Sequence, residues 1–455
     1  MTTTFGKGAL LLVEGAAPAQ ENARRFLNVR IGSNRGVIKL MARGTGAAIA
    51  ASALTMLVAG TLLAAVIVSE TKLTASDGAP GDLFGSDGES SSVAQSGRTA
   101  VIAAHLDDDA GESSGSAYVF HDDGTGWAEQ AKLTASDGVL KDFFGSGVSI
   151  SGDTVVVGSF FSDAPAEHSG SAYVYQRTGD TWTEEAKLVA ADGAEGDLFG
   201  ISVAISGDAL VVGARDHDVA ASNSGAAYVF RFDGTGWAQE AELAASDGAA
   251  DDFFGGRVAI DGDVVVAGAP TADVGGTDSG AAYVFRFDGT SWTQEAKLTA
   301  ADGQTGDEFG SSVAISGETA VVGAARAGPG NTERGAAYVF RFDGTSWSQE
   351  AKLTAADSKV KNLFGWSVGI SGDQIVVGAI KGDDGERNTG AAYVFQRTGT
   401  VWSEELKLLA SDAEQDDRFG GSVSILGDTV LVGAAGDDDL GSAAGAVYVY
   451  ELTSS

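Results

Sequence analysis

Two landmarks, a Phe-Gly pair and a Gly-Ala-type pair, return along this chain at a fixed interval. That recurrence constrains the fold more than any single residue does. Phe-Gly stands at Phe84, Phe144, Phe199, Phe254, Phe309, Phe364 and Phe419, spaced 60 residues once and then 55 five times. The second landmark stands at Ala103, Gly158, Gly213, Gly268, Gly323, Gly378 and Gly433. It follows Phe by fourteen residues, except by nineteen in the first copy, so that copy carries five extra residues near DGESS (87–91). A fixed period near 50 residues with β-type filling signals a propeller or an array.

Each unit reads as four strands. In the fifth copy SVAIS (312–316) alternates, and TAVVGA (319–324) is a nearly continuous apolar run, as expected of a strand covered on both faces. GAAYVF (335–340) follows a variable polar loop. A tight Asp-Gly turn then leads to WSQEAKL (347–353), which alternates large apolar and charged residues like a half-exposed outer strand. Four-stranded sheets arranged radially form a β-propeller.

The chain ends predict how the ring closes. The last copy stops after AVYVYELTSS, with no fourth strand and no Trp, whereas VIVSETKL (66–73) precedes the first copy and carries the Lys-Leu of a fourth strand. The expected fold is therefore all-β: a seven-bladed propeller of four-stranded blades over 66–455. An N-terminal strand near 66–75 completes the last blade, and an N-terminal hydrophobic helix lies outside the ring.

Seven copies in register resemble FG-GAP repeats, the units of the integrin alpha-subunit propeller. The variant with Trp and Ala-Lys-Leu-Thr-Ala is similar to repeats of exported prokaryotic proteins. The resemblance covers 66–455 and implies an extracellular, non-catalytic interaction module. One departure bears on metal binding. Integrin-type calcium loops of Asp-x-Asp-x-Asp-Gly form are missing. The corresponding turns, such as Ser151-Gly152-Asp153 and Ser316-Gly317-Glu318, are too short to supply the six to eight oxygens calcium takes. No cofactor is otherwise implied, and calcium is left to the acidic loops considered below.

Charge narrows the partners. The net charge is −34, although residues 1–45 carry seven basic residues against two acidic ones. The body repels nucleic acid and anionic lipid. Its acidity fits a solvated surface, and equally adaptation to high salt, where screening relieves self-repulsion. Residues 46–66 are uncharged and apolar, a length that suits either a membrane anchor or the hydrophobic region of a signal peptide. The basic flank would stay in the cytoplasm and the acidic body outside. The closing strand begins where the apolar run ends, leaving almost no linker, which favours cleavage near Ala64 and Ala65. Met41 is an alternative start that would make the first 40 residues an extension. Any membrane contact passes through 46–66 if that segment stays uncleaved.

A residue repeated in every blade reads as a fold requirement. Phe of Phe-Gly should wedge between blades. The Asp series at 77, 137, 192, 247, 302, 357 and 412, and a second at 82, 142, 197, 252, 307 and 417, should bond local backbone N–H groups. Function is sought where the pattern fails. The loops joining strands two to three and four to one share a face, the expected recognition surface. Three of them carry acid clusters weighed as metal ligands: Asp107, Asp108 and Asp109; Asp383 and Asp384; and Asp437, Asp438 and Asp439. The sixth unit holds a basic island, Lys359, Lys361, Lys381 and Arg387, around Trp366, which stands where other units have Ser, Gly or Ile. Arg257 falls one place further on in its own unit. Trp and Arg are favoured binding anchors. The expected function is an exported or cell-surface module, not an enzyme, that binds a protein or surface polysaccharide on the variable-loop face. The alternatives are a polysaccharide-active propeller enzyme, a glycosidase or lyase, and a structural envelope protein.

Overall fold

The computed structural model describes residues 25–30, 37–42 and 66–453, apart from 86–90, 331 and 383–386. The hydrophobic segment 46–66, all but its last residue, lies outside the described residues, as do Asp383, Asp384 and most of the five-residue insertion. The chain forms two units, Met1–Glu70 with Tyr450–Ser455, and Thr71–Val449. In the first, Arg25–Arg30 and Val37–Ala42 make an antiparallel pair with Arg25 opposite Ala42. Among the described residues no helix is long and apolar enough to cross a membrane.

Seven four-stranded antiparallel sheets make the ring. Blade 5 is representative: Ser312–Ser316, Thr319–Ala324, Ala336–Phe342 and Trp347–Leu353, in sequence order from the centre outward. The second strand is buried throughout, and the fourth alternates. Blade 7 takes Phe419–Leu426, Thr429–Ala434 and Ala446–Thr453 from the end of the sequence and Val66–Leu73 as its fourth strand. First strands pack beside one another around the ring, including Phe419–Leu426 against Val93–Ser96.

The core lies between blades rather than within them. Phe309 is fully buried, with its ring edge-on to Tyr338 and Phe340 of its own blade at 5.4 and 5.8 Å. Its backbone makes a parallel bridge to Gly280 of the preceding blade, and seven such bridges run from Gly115↔Phe144 to Phe84↔Gly445. These bridges explain two glycines per unit. Gly335 sits at φ +83, and a Cβ there would lie 1.9 Å from the carbonyl oxygen of Phe364.

A second tie crosses the opposite face. The Gly317 N–H donates to Asp261 Oδ2 (2.6 Å), the Gly262 N–H to Ser206 Oγ (3.0 Å) and the Gly427 N–H to Ser371 Oγ (3.2 Å). The short Ser-Gly-Asp turns thus link neighbouring blades. Leu426 occupies the serine place in blade 7, and at that seam Gln95 Nε2 donates to the Thr429 carbonyl instead (3.1 Å). The outer rim is tied by Trp Nε1–H donors, as from Trp347 to Glu295 Oε2 (2.8 Å) and Trp402 to Glu350 Oε1 (2.9 Å).

Candidate functional site

Two places on the loop face depart from a uniform ring: the channel mouth, and the carboxylate-rich loops above each blade. The loops joining strands two to three and four to one do share this face, since the Phe143 N–H donates to the Ser113 carbonyl (3.2 Å) and the Lys141 N–H to the Glu112 carbonyl (2.8 Å).

The mouth is edged by the starts of the first strands. Here Ser202, Ser312, Ser367 and Ser422 each donate Oγ–H to the glycine carbonyl of the next blade's Phe-Gly, at 2.9–3.2 Å. Arg257 replaces this serine in blade 4. Its side chain shares one cavity with Trp366, Ser312 and Ser422. Its Nη1 donates to the Gly256 carbonyl (2.7 Å), and among the described residues no carboxylate pairs with it. Desolvation, and then the nearby Arg215, lower its pKa, but a guanidinium remains charged at neutral pH. Trp366 is half-buried. It rests on a small apolar cluster of Ala325, Leu363 and Ile380, and its exposed part lines the mouth.

The basic island is dispersed. Lys359, Lys361 and Lys381 are exposed, with the Lys381 backbone bonded to the Asn362 carbonyl (3.3 Å). Arg387 instead reaches the blade 6–7 junction and pairs with Asp416 (3.0 Å). The mouth therefore unites Trp366 with Arg257, which lie 109 positions apart in the sequence, rather than with Arg387.

The acidic loops are organised by lysines. In six blades the fourth-strand Lys sits 5.0–5.5 Å over the ring of the third-strand Tyr. The first-series Asp accepts from both. Asp302, for example, takes the Tyr338 hydroxyl at 2.9 Å and Lys352 Nζ at 2.6 Å. The expectation of local backbone bonds is thus corrected for this series: a lysine and a tyrosine from the following blade outcompete the local amides. It holds for the second series, where Asp307 accepts from the Gln304 N–H (2.8 Å) and Asp417 from the Glu414 N–H (2.6 Å). These second-series groups are buried. Desolvation first, and then Asp437, Asp438 and Glu414, push Asp417 up to about 6.

Blades 1 and 7 add acids to the same place. Lys132 Nζ meets Asp77 (2.7 Å), Asp107 (2.9 Å) and Asp109. Lys72 Nζ meets Asp437 (2.6 Å), Asp439 (2.6 Å) and Asp412 (3.0 Å). Burial opposes the charge on Lys72, but the bonds to Asp437, Asp439 and Asp412 outweigh it and raise its pKa. An ammonium thus occupies the centre of two of the three carboxylate groups that the sequence offered to a metal, and the third, Asp383 and Asp384, lies outside the described residues. Asp108 caps its own loop by accepting from the Ser113 N–H (2.7 Å), and Asp438 accepts at its carbonyl from the Gly441 N–H (2.9 Å).

Sequence reasoning missed two features. Phe160 and Phe161 form a half-buried aromatic group with Phe143 on the loop face, with ring centroids 4.7–5.5 Å apart. Their signal was the SFFSD that interrupts the Gly-Ala landmark of blade 2. The other is His217, which is buried between Asp197 and Asp192 in blade 3.

Comparison with known proteins agrees with the repeat. A crystal structure of Saccharomyces cerevisiae Sqt1 is similar at a TM-score of 0.45 and 10% sequence identity, covering 81% of this chain and 84% of that one. No curated protein sequence matches the chain. The FG-GAP repeat model matches residues 67–120, 127–175, 182–230, 237–285, 292–340, 347–395 and 402–450. With seven such matches laid over seven blades, the chain belongs to the FG-GAP repeat family.

Proposed function

We propose that this propeller is an exported or cell-surface binding module, and that Arg257 and Trp366 anchor a protein or surface-polysaccharide ligand at the channel mouth. The observation that carries the reading is the meeting of these two residues in one cavity, with no carboxylate paired to the guanidinium among the described residues. A carboxylate or sulfate of the ligand is the group complementary to Arg257, and an indole face suits a sugar ring or an aliphatic stem. The net charge of −34 repels dense polyanions from the body, so the ligand carries isolated anionic groups. Export rests on the apolar segment 46–66 and its basic flank.

A glycan array and a surface-protein pull-down with the full chain test this reading. Arg257→Ala and Trp366→Ala are each expected to weaken the captured ligand about tenfold or more, with unchanged melting. Undiminished binding by both variants overturns the assignment. Sequencing the N-terminus of the cell-associated product checks export, and finding the body in the cytoplasm would defeat that part.

A further inference from the structure

Blade 3 breaks the lysine rule. Its fourth strand reads WAQEAEL, so Glu242 stands where the other six blades place Lys72, Lys132, Lys187, Lys297, Lys352 and Lys407. Asp192 keeps its bond from the Tyr228 hydroxyl (3.0 Å) but has lost its ammonium partner and gained a second carboxylate instead. Opposite both stands His217, at the loop position held by Asp107 in blade 1 and Asp437 in blade 7. Its imidazole Nδ1 lies 2.8 Å from Asp197 Oδ2, while Nε2 lies 3.9 Å from Asp192 Oδ2 and 3.9 Å from Glu242 Oε1. The residue is only 9% exposed, and among the described residues its Nε2 makes no hydrogen bond.

These distances are too long for hydrogen bonds. They approach the separation of two ligand atoms that each sit about 2.0–2.2 Å from one shared ion. All three ligand atoms lie within 4.8 Å of one another. We propose that Asp192, His217 and Glu242 form a divalent transition-metal site, with zinc as the best match. The ion would stand where an ammonium stands in the other blades.

The surroundings fit that assignment. Asp197 fixes the imidazole from behind, which leaves Nε2 as the metal-facing nitrogen, the carboxylate–histidine arrangement common at such sites. Tyr228 orients Asp192 in the same way. Two carboxylates and an imidazole suit zinc or manganese better than calcium, which takes more numerous, all-oxygen ligands. The Asp192 and Glu242 side chains are 47% and 33% exposed, so an ion has an entry path and keeps coordination positions open to solvent.

The test is metal titration of the chelator-stripped full chain, using zinc, manganese and calcium separately. One zinc per chain is expected at micromolar free metal, with a raised melting temperature. Glu242→Lys restores the residue of the other six blades. It should fold like the parent and lose the zinc together with the zinc-dependent rise in melting. His217→Gln should lose both as well, and Asp197→Asn should weaken binding roughly 10–100-fold, as loss of an outer partner does. No zinc uptake by the parent chain would overturn the site. So would uptake that persists at equal affinity in both Glu242→Lys and His217→Gln.

Discussion

At the scale of single residues, the repeat stores opposed electrostatics in neighbouring positions. Bonds to lysine and tyrosine overcome burial and hold Asp302 and Asp412 below the ordinary carboxylate range. A few residues on, burial holds Asp307 and Asp417 above it. Asp417 is the extreme case, moved from 3.8 to about 6. A raised folded-state value favours the folded chain at low pH, and that contribution is lost as pH rises from about 4 to about 6. Blade 6 already uses Asn362 at the equivalent place. Asp417→Asn should therefore be more stable than the parent at pH 7 by about 3 kcal/mol, at roughly 1.4 kcal/mol per pH unit. The two should converge near pH 3 in urea unfolding; an unchanged difference across that range would contradict the assignment. The pattern of acids was plain in the sequence, but the division into lowered and raised groups was not. It depends on which series a lysine 50 residues later can reach.

At the scale of strands, the alternation and the apolar runs were enough to place Ser312–Ser316, Thr319–Ala324 and Trp347–Leu353 at their observed bounds, while the closing strand, expected near 66–75, runs Val66–Leu73. The third strand was displaced: expected over 335–340, it runs Ala336–Phe342. Gly335 is consumed by the bridge to Phe364, and the strand continues through Arg341 to meet the outer strand. The channel mouth was half legible. Trp366 and Arg257 stood out as breaks in the pattern, but only the ring geometry brings them together. His217 and Glu242 were hidden, because each looks ordinary until the loop and the outer strand are seen to converge. The closing strand yields an element-scale prediction. Lys72 holds three carboxylates, one of them the buried Asp437, whereas among the described residues Lys187 pairs only with Asp137, which is about half exposed. Lys72→Ala should cost about 2–4 kcal/mol at neutral pH, because it strands a buried charge. Lys187→Ala should cost no more than about 1 kcal/mol. The Lys72→Ala deficit should shrink on acidification, since stability from the lowered Asp412 is present above 3.8 and fades as pH falls below it. Equal costs for the two variants in parallel urea titrations would count against a special role for the seam.

At the scale of the whole molecule, 63 acidic residues against 29 basic ones make self-repulsion the dominant long-range field. Raising salt from about 0.01 to 1 M shortens the screening length from roughly 30 to 3 Å. The melting temperature should rise over that range; a fall would mean that the inter-blade ion pairs outweigh the repulsion. The family repeat also crosses blade boundaries, since a match such as 292–340 joins the outer strand of blade 4 to the inner three of blade 5. Every blade-to-blade junction is therefore covalently continuous, and the one break lies within blade 7, where Val66–Leu73 pairs with Ala446–Thr453. This has a consequence in time. The part of the ring that a ribosome makes first is the one the ring uses last, for Lys72 must wait 367 residues before Asp439 exists. Throughout that interval it is an unpaired edge, and six homologous third strands are completed before its own. Each of those six is followed directly by its tethered Trp-bearing outer strand, which has the advantage of proximity. Val66–Leu73 is left to find the blade that closes through it rather than through a following strand.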